Sequence, residues 1–376
     1  MSQRGEAGWH RFLPGPHAKH ASFRFAPDHT GRRVLVTGAA GSIGSALAKA
    51  LAGAGVEHLL LLDSSEIGLA ELRRQLASCG VGPRDVRSAC PADFVCGSID
   101  DAALLDSLFS RHPIDLVYHA AAWKHVPLLE SDPFSAVRNN GIGTHILAQA
   151  AIRGGVSNLV LISTDKAVNP RSIMGASKRI AELAVVSLSR AACRMNAIRL
   201  CNVIGSSGSV VPLFLRQIAQ REPVTVTDPE AMRWFLTMRE AVEAILACGV
   251  SSREGRILLP PVGERVRIAD LARFLIRSSG NGWPGEVTYI GLRPGDKLTE
   301  EMSYQSERKV GTEGCLTMVE TPNLSAAELS AFIDEIGDRW ERRDLPGLLR
   351  AIHSVIPEYV PSAQLFEQAA SAAGHA

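Results

Sequence analysis

At 376 residues, with 46% apolar and 21% charged residues and a net charge of +1, the chain can bury a sizeable core, as two domains or one large one. Basic and acidic residues interleave with no Lys/Arg block, which removes the electrostatic reason to expect nucleic acid. The apolar runs at 56–62 and 183–188 are too short for a membrane span, and residues 1–33 lack a signal peptide's apolar stretch, so a cytoplasmic protein is expected. Cys79, Cys90, Cys96, Cys193, Cys201, Cys248 and Cys315 are odd in number and include no Cys-x-x-Cys pair. Buried free thiols are expected, with no disulfide framework and no metal site.

Residues 1–33 are polar, carry His10, His17, His20 and His29, and show no sustained period, as a flexible leader or an arm over the folded part would. Val34-Leu35-Val36-Thr37 then flows into Gly38-Ala39-Ala40-Gly41-Ser42-Ile43-Gly44 and an alanine-rich helix. In such a strand, turn and helix, backbone N–H groups can meet a pyrophosphate, and Gly38, Gly41 and Gly44 keep Cβ atoms out of its way. The spacing is G-x-x-G-x-x-G, not G-x-G-x-x-G, and an ordinary turn would also suit three glycines. A second buried strand at 58–62 ends in Asp63, placed where a carboxylate meets the adenosine ribose hydroxyls, or where it could cap the next helix. No arginine follows in Ser64-Ser65-Glu66 to receive a 2′-phosphate, so NAD is favoured over NADP.

The alternation continues with a strand ending at Val95-Cys96, a helix at 102–110 and a strand at 116–119. Ala120, Ala121 and Ala122 come next, small enough for a flat cofactor or a packed helix to lie against the backbone. Residues 132–152 read as one long helix with Asn139 and Asn140 in its middle, poor helix formers that point to a hydrogen-bonding task. An apolar strand then ends in Thr164, Asp165 and Lys166, at the sheet edge where α/β folds hold ligands. The following helix carries Met174 and Lys178 at i and i+4, on one face. Together these residues form a candidate catalytic centre. After a strand at 196–200 the rhythm fades into a Gly/Ser loop at 205–212, short strands, helices and the loop 291–297. The fold class is α/β, a Rossmann-type doubly wound parallel sheet over 31–200 with a smaller C-terminal α/β substrate-binding domain over 201–360. Interleaving of the two is allowed, and 1–30 and 361–376 are leader and tail.

Five strings, Val-Thr-Gly-Ala-Ala-Gly-Ser-Ile-Gly-Ser (36–45), His-Ala-Ala-Ala-Trp-Lys-His-Val-Pro (119–127), Ile-Ser-Thr-Asp-Lys-Ala-Val-Asn-Pro (162–170), Gly-Ser-Val-Val-Pro-Leu-Phe (208–214) and Gly-Leu-Arg-Pro-Gly-Asp-Lys-Leu (291–298), resemble the CapD-type polysaccharide-biosynthesis proteins. These are extended short-chain dehydrogenase/reductases whose best-known activity is 4,6-dehydration of UDP-N-acetylglucosamine. Larger relatives carry N-terminal membrane helices, and this chain resembles the soluble form. The resemblance implies bound NAD near Gly38, Gly41, Ser42, Ile43, Gly44, Asp63, Ser98, Ile99 and Ala120 to Ala122. It implies Asp165 as the acid at O6, Lys166 as the base at C5, Thr164 on O4, and Lys178 on the nicotinamide ribose. Lys124 would lie near the sugar, Asn202, Ser209, Val210 and Pro212 around the pyrophosphate, and Arg233 and Arg293 on phosphate or uracil. A Lys166 base needs its pKa lowered, for which the neighbouring Lys178 and exclusion of water are the expected causes.

Two positions depart from the pattern. The superfamily's Tyr-x-x-x-Lys is here Met174 to Lys178, and methionine has no proton to exchange, which leaves O4 to Lys178 through a water or to Asp165. A branch of the dehydratases resembles this sequence in carrying Met. Ser98 stands where Gly-Asp-Ile is commoner beside adenine. The alternatives are a 4-epimerase of the same fold and a non-catalytic NAD-binding sensor or scaffold. If the chain follows its superfamily, helices 132–152 and 173–188 would form a four-helix homodimer interface.

Overall fold

Strands that read as unbroken apolar runs are buried on both faces, as Val34 to Val36 and Leu59 to Leu62 are here. The computed structural model describes residues 28–82, 90–279 and 283–373. Its central sheet contains β1 (Arg33–Thr37), β2 (His58–Asp63), β3 (Val81–Gly82), β4 (Cys90–Cys96), β5 (Leu116–His119), β6 (Asn158–Thr164), β7 (Arg194–Leu200), β8 (Ile257–Leu259), β9 (Arg308–Glu313) and β10 (Leu316–Glu320). Their spatial order is β9-β10-β8-β7-β6-β5-β1-β2-β4-β3. The run from β8 to β3 is parallel, and β10 and β9 are added antiparallel at one edge. The chain leaves β1 in one direction and returns to β5 on its other side, so a crevice opens between the carboxyl ends of β1 and β5. This is a Rossmann-type α/β fold.

The chain after residue 200 does not stay apart from this sheet, because β8, β9 and β10 join it. What it builds separately is a smaller core around Phe214, Ile218, Val224, Phe235, Leu271 and Leu275. Short strand pairs frame this part, Val224–Val226 with Val287–Tyr289 and Met232–Arg233 with Val266–Arg267.

Three sequence expectations change. The long helix at 132–152 is interrupted by a π-helical turn, Val137–Ile142, which holds both amides. Residues 1–27 lie outside the described residues, but His29, assigned to the leader, is buried, with Nε2 2.6 Å from the Tyr118 hydroxyl. Cys90, Cys193, Cys201 and Cys248 are buried free thiols, whereas Cys79, Cys96 and Cys315 are exposed, and all seven are free. In addition, of the two helices expected at a dimer interface, the second is covered by the chain itself. Every residue of helix Ile173–Leu188 except Ser187 is buried, and Leu329, Phe332, Ile333 and Ile336 of helix Ala326–Glu341 share one apolar cluster with its Ile180, Leu183 and Ala184. Arg138 stacks on the Trp340 ring at 4.9 Å, and the Leu324 N–H donates to Ser187 at 3.0 Å. No described helix is long and apolar enough to cross a membrane.

The sheet and its later strands meet at a buried charge network. Arg199 of β7 is fully buried, and its guanidinium donates to Glu182 at 2.8 Å and to Glu307 at 2.7 Å. Burial pushes Glu182 upward, but Arg199 and Arg179 more than reverse this and hold it down to about 2. Removing the shared cation leaves two buried acids with Arg179 alone, 3.0 Å from Glu182 and 3.9 Å from Glu307, to answer them. Arg199→Leu should therefore lose about 3–5 kcal/mol of stability, read from the midpoint of urea unfolding at neutral pH. The depressed Glu182 makes its contribution above the ordinary glutamate range and loses it as the pH falls towards 2, so the deficit of the variant should shrink in acid.

Candidate functional site

At the crevice, Thr37 lies beside Leu62 and Asp63 beside Cys96, bringing the ends of β1, β2 and β4 together. Gly38 has φ +66°, and a Cβ there would stand 2.5 Å from the Ala121 nitrogen; one on Gly44 would stand 2.0 Å from the Gly38 oxygen. These two glycines are required by the packing of turn, strand and helix. Gly41 has more room and is the N-cap of helix Ser42–Ala52, which no side chain caps. Asp63 accepts from the Ala40 N–H at 2.9 Å and the Ser65 N–H at 2.8 Å, while Ser65 takes the capping role for the next helix. The acid thus fixes the glycine turn. Ile99 is buried against Gly143, and the Ser98 hydroxyl bonds to Asp100.

A second helix N-terminus opens beside the first. Ser209 N-caps Val210–Gln220 without a side-chain hydrogen bond, and its Oγ is buried with no partner among the described residues. The Ser42 hydroxyl links the two, donating to Ser207 Oγ and accepting from the Ser207 N–H, both at 2.9 Å. Uncapped N–H groups and the helix dipole suit an anion at each end. Val210 and Pro212 lie in the first turn of this helix, and the Lys124 ammonium reaches Ser206 at 3.5 Å.

The π-helical turn serves this region. Asn140 is fully buried, accepts from the Trp123 N–H at 2.8 Å, and donates to the Trp123 carbonyl and Ser177 Oγ at 2.9 Å. A widened turn aims this amide at the loop that follows Ala120, Ala121 and Ala122.

At the end of β6, Thr164 Oγ1 and Lys166 Nζ both donate to Asp165 Oδ1 at 3.0 Å. Asp165 is fully buried and its Oδ2 has no hydrogen-bond partner among the described residues. Lys166 also donates to Asn202 at 3.2 Å. Gly175 makes this turn possible, since a Cβ there would stand 2.3 Å from the Lys166 carbonyl oxygen. The Met174 side chain is buried in the apolar core, and Lys178 donates to the Ile162 carbonyl at 2.8 Å.

The two lysines reverse the expected electrostatics. Burial lowers Lys166, but Asp165 and Glu300 outweigh it and raise the ammonium above the usual lysine value, and Lys178 has no part in this. Lys178 itself is brought down to about 8 by burial, against the pull of Glu182. Burial and then Lys178 hold His119 down to about 3, a neutral ring bonded to Thr37 and Thr144.

The arginines also differ from expectation. Arg233 lies near this cluster, but its guanidinium is engaged by the carbonyls of Met232, Leu298 and Lys297 at 2.7–2.9 Å. Arg293 is not brought to the site. It pairs with Asp296 at 2.9 Å in an exposed turn and lines an open cleft whose walls include none of Asp165, Lys166, Asn202 or Arg233. Glu300, buried 3.7 Å from Lys166, escaped the sequence reading because Thr299-Glu300-Glu301 looks like an ordinary solvated pair of acids. Ser207 escaped likewise inside a Gly/Ser loop.

Comparison with known proteins shows the family. The model of the family described as "Polysaccharide biosynthesis protein" matches residues 34–320. Capsular polysaccharide biosynthesis protein CapD of Staphylococcus aureus is 40% identical over 281 residues, 74% of this chain and 46% of CapD, so the chain spans about half the length of that relative. A structure of Pen from Bacillus thuringiensis superposes with a TM-score of 0.70 at 25% identity, over 80% of this chain and 91% of that one. DesIV, a dTDP-glucose 4,6-dehydratase from Streptomyces venezuelae solved with NAD and TYD bound, gives 0.63 at 24% identity, over 83% and 97%. With its glycine turn, its acid and amine at the end of β6 and a family match across most of its length, the chain belongs to the polysaccharide biosynthesis protein family, as a CapD-type extended short-chain dehydrogenase/reductase.

Proposed function

We propose that the chain is a nucleotide-sugar 4,6-dehydratase that uses NAD and converts a UDP-N-acetylhexosamine, UDP-N-acetylglucosamine first among them, to a 4-keto-6-deoxy sugar. The observation that carries this reading is the Asp165–Lys166 pair, a buried acid beside a partly exposed amine, with a carboxylate oxygen left unpartnered at the ligand edge of the sheet. An epimerase needs only the C4 oxidation, whereas an acid and an amine side by side suit an elimination. The relation to CapD supports a part in polysaccharide biosynthesis, DesIV shares the fold, and relatives named UDP-glucose 4-epimerase keep epimerisation as the second reading.

The glycine turn and Asp63 would hold the dinucleotide, and the N-terminus of Val210–Gln220 with Asn202 and Lys124 the nucleotide sugar. Bound NAD supplies a hydride acceptor for C4 and a hydride donor for C6. The chain's own residues manage the protons. In the resting pair the proton sits on Lys166. Once substrate excludes water, its transfer across the hydrogen bond to Asp165 gives a neutral amine and a neutral acid. Lys166 then takes the C5 proton, which the C4 ketone has acidified, Asp165 gives its proton to O6, and water leaves. With Met174 unable to exchange a proton and Asp165 already carrying the one from Lys166, the O4 proton goes through a water to Lys178, which at about 8 is partly neutral at physiological pH, while the Thr164 hydroxyl orients O4.

Incubation with UDP-N-acetylglucosamine should give a product lighter by one water with a C6 methyl signal in the NMR spectrum; an isomer of unchanged mass would replace this reading with epimerisation. Lys166→Ala should slow dehydration by at least about 10²-fold with its NAD content unchanged, and a fully active variant would remove Lys166 from the base role. Gly38→Ala should act the other way, lowering the NAD recovered from the purified protein, because the new Cβ meets the Ala120–Ala121 backbone.

A further inference from the structure

Glu300 is a buried acid at the catalytic lysine to which the elimination above gives no task. Its Oε1 lies 3.7 Å from Lys166 Nζ and 3.8 Å from Arg233 Nε, and Oε2 lies 3.4 Å from Lys297 Nζ. Its carbonyl accepts from Arg265 at 3.0 Å, and neighbouring Thr299 bridges to Met232, so its backbone is fixed to the strand that carries Arg233. Glu182, by contrast, closes on Arg199 at 2.8 Å. Glu300 instead stands at longer range among three cations and divides its charge between them.

We propose that Glu300 is a positioning residue that parks Lys166 in its protonated form and links that state to Arg233 and Lys297 of the later chain. This inference rests on Lys166 being the base. Facing Lys166 are Asp165 on its own turn, Glu300 and Arg233 from the later chain and Lys124 from the loop after β5. Cys201 and Asn202 close the space at the end of β7, and Lys297 stands behind Glu300. Of the two acids, Asp165 is needed as the partner in proton transfer. The second acid only opposes that transfer, so engagement of Glu300 by Lys297 and Arg233 leaves Lys166 freer to lose its proton.

The test is competitive acetylation of Lys166 in the full-length protein as a function of pH, followed by peptide mass spectrometry, which needs no turnover. Glu300→Gln should move the labelling midpoint of Lys166 down by about one pH unit. Glu300→Asp should keep the wild-type midpoint, and Lys297→Met should raise it, because a competing cation is gone. The rising limb of the rate of water loss should move in the same directions. A role in packing alone would lower activity or stability at every pH and leave the midpoints in place, and that result overturns the proposal. Should Glu300→Gln fail to fold, the upward shift in Lys297→Met decides alone. Shifted midpoints with no water lost from the sugar would uphold Glu300 and overturn the dehydratase reading instead.

Discussion

Arg199 has no contact with water, and its charge is answered by carboxylates from two distant parts of the chain, Glu182 and Glu307. Glu182 also accepts from Ser163 at 2.7 Å, two residues before Asp165, and Tyr304, beside the same network, donates from its hydroxyl to the Ala167 carbonyl just after Lys166. The end of β6 is therefore gripped on both sides by groups that converge on one guanidinium. A buried ion cluster is a poor source of net stability, since the desolvation of each member consumes most of what attraction returns. What it supplies here is a defined position, because a bidentate fork tolerates little displacement. The turn at Asp165 and Lys166 inherits that definition.

Much of this was legible in the chain. The β1 strand, the glycine turn and Asp63 announce a parallel α/β sheet, because local chemistry alone dictates a left-handed glycine and a crowded strand-to-helix turn. The acid and amine after β6 could be read for the same reason, since the end of a parallel strand is where such side chains have a use. Quantities set by tertiary neighbours could not be read. Lys166 carries a raised value because Glu300, far along the chain, comes to lie beside it, and Lys178 carries the lowered one because its helix is buried on all sides. Arg233 looked like a phosphate fork because sequence cannot show three backbone carbonyls closing on it. Asn140 was suspected from its poor helix propensity, but not the π-helical turn that gives it its aim.

The site joins two regions with different physical characters. Around the glycine turn the work is done by backbone, through two helix N-termini whose N–H groups are left without side-chain caps. Around β6 it is done by buried charge, with Asp165, Lys166 and Glu300 inside a few ångströms of one another. The first kind of site offers its N–H groups to an anion whatever the pH. The second depends on where a few protons reside, and so can change state without any movement of the backbone.

The C-terminal helices that lie over Ile173–Leu188 bear on this. A helix whose cover comes from a neighbouring molecule is only as ordered as the concentration of that molecule allows. Here the cover is tethered, and Leu329, Phe332 and Ile336 are always present at the face they protect. The cover of the helix that carries Met174 and Lys178 thus comes from within the chain.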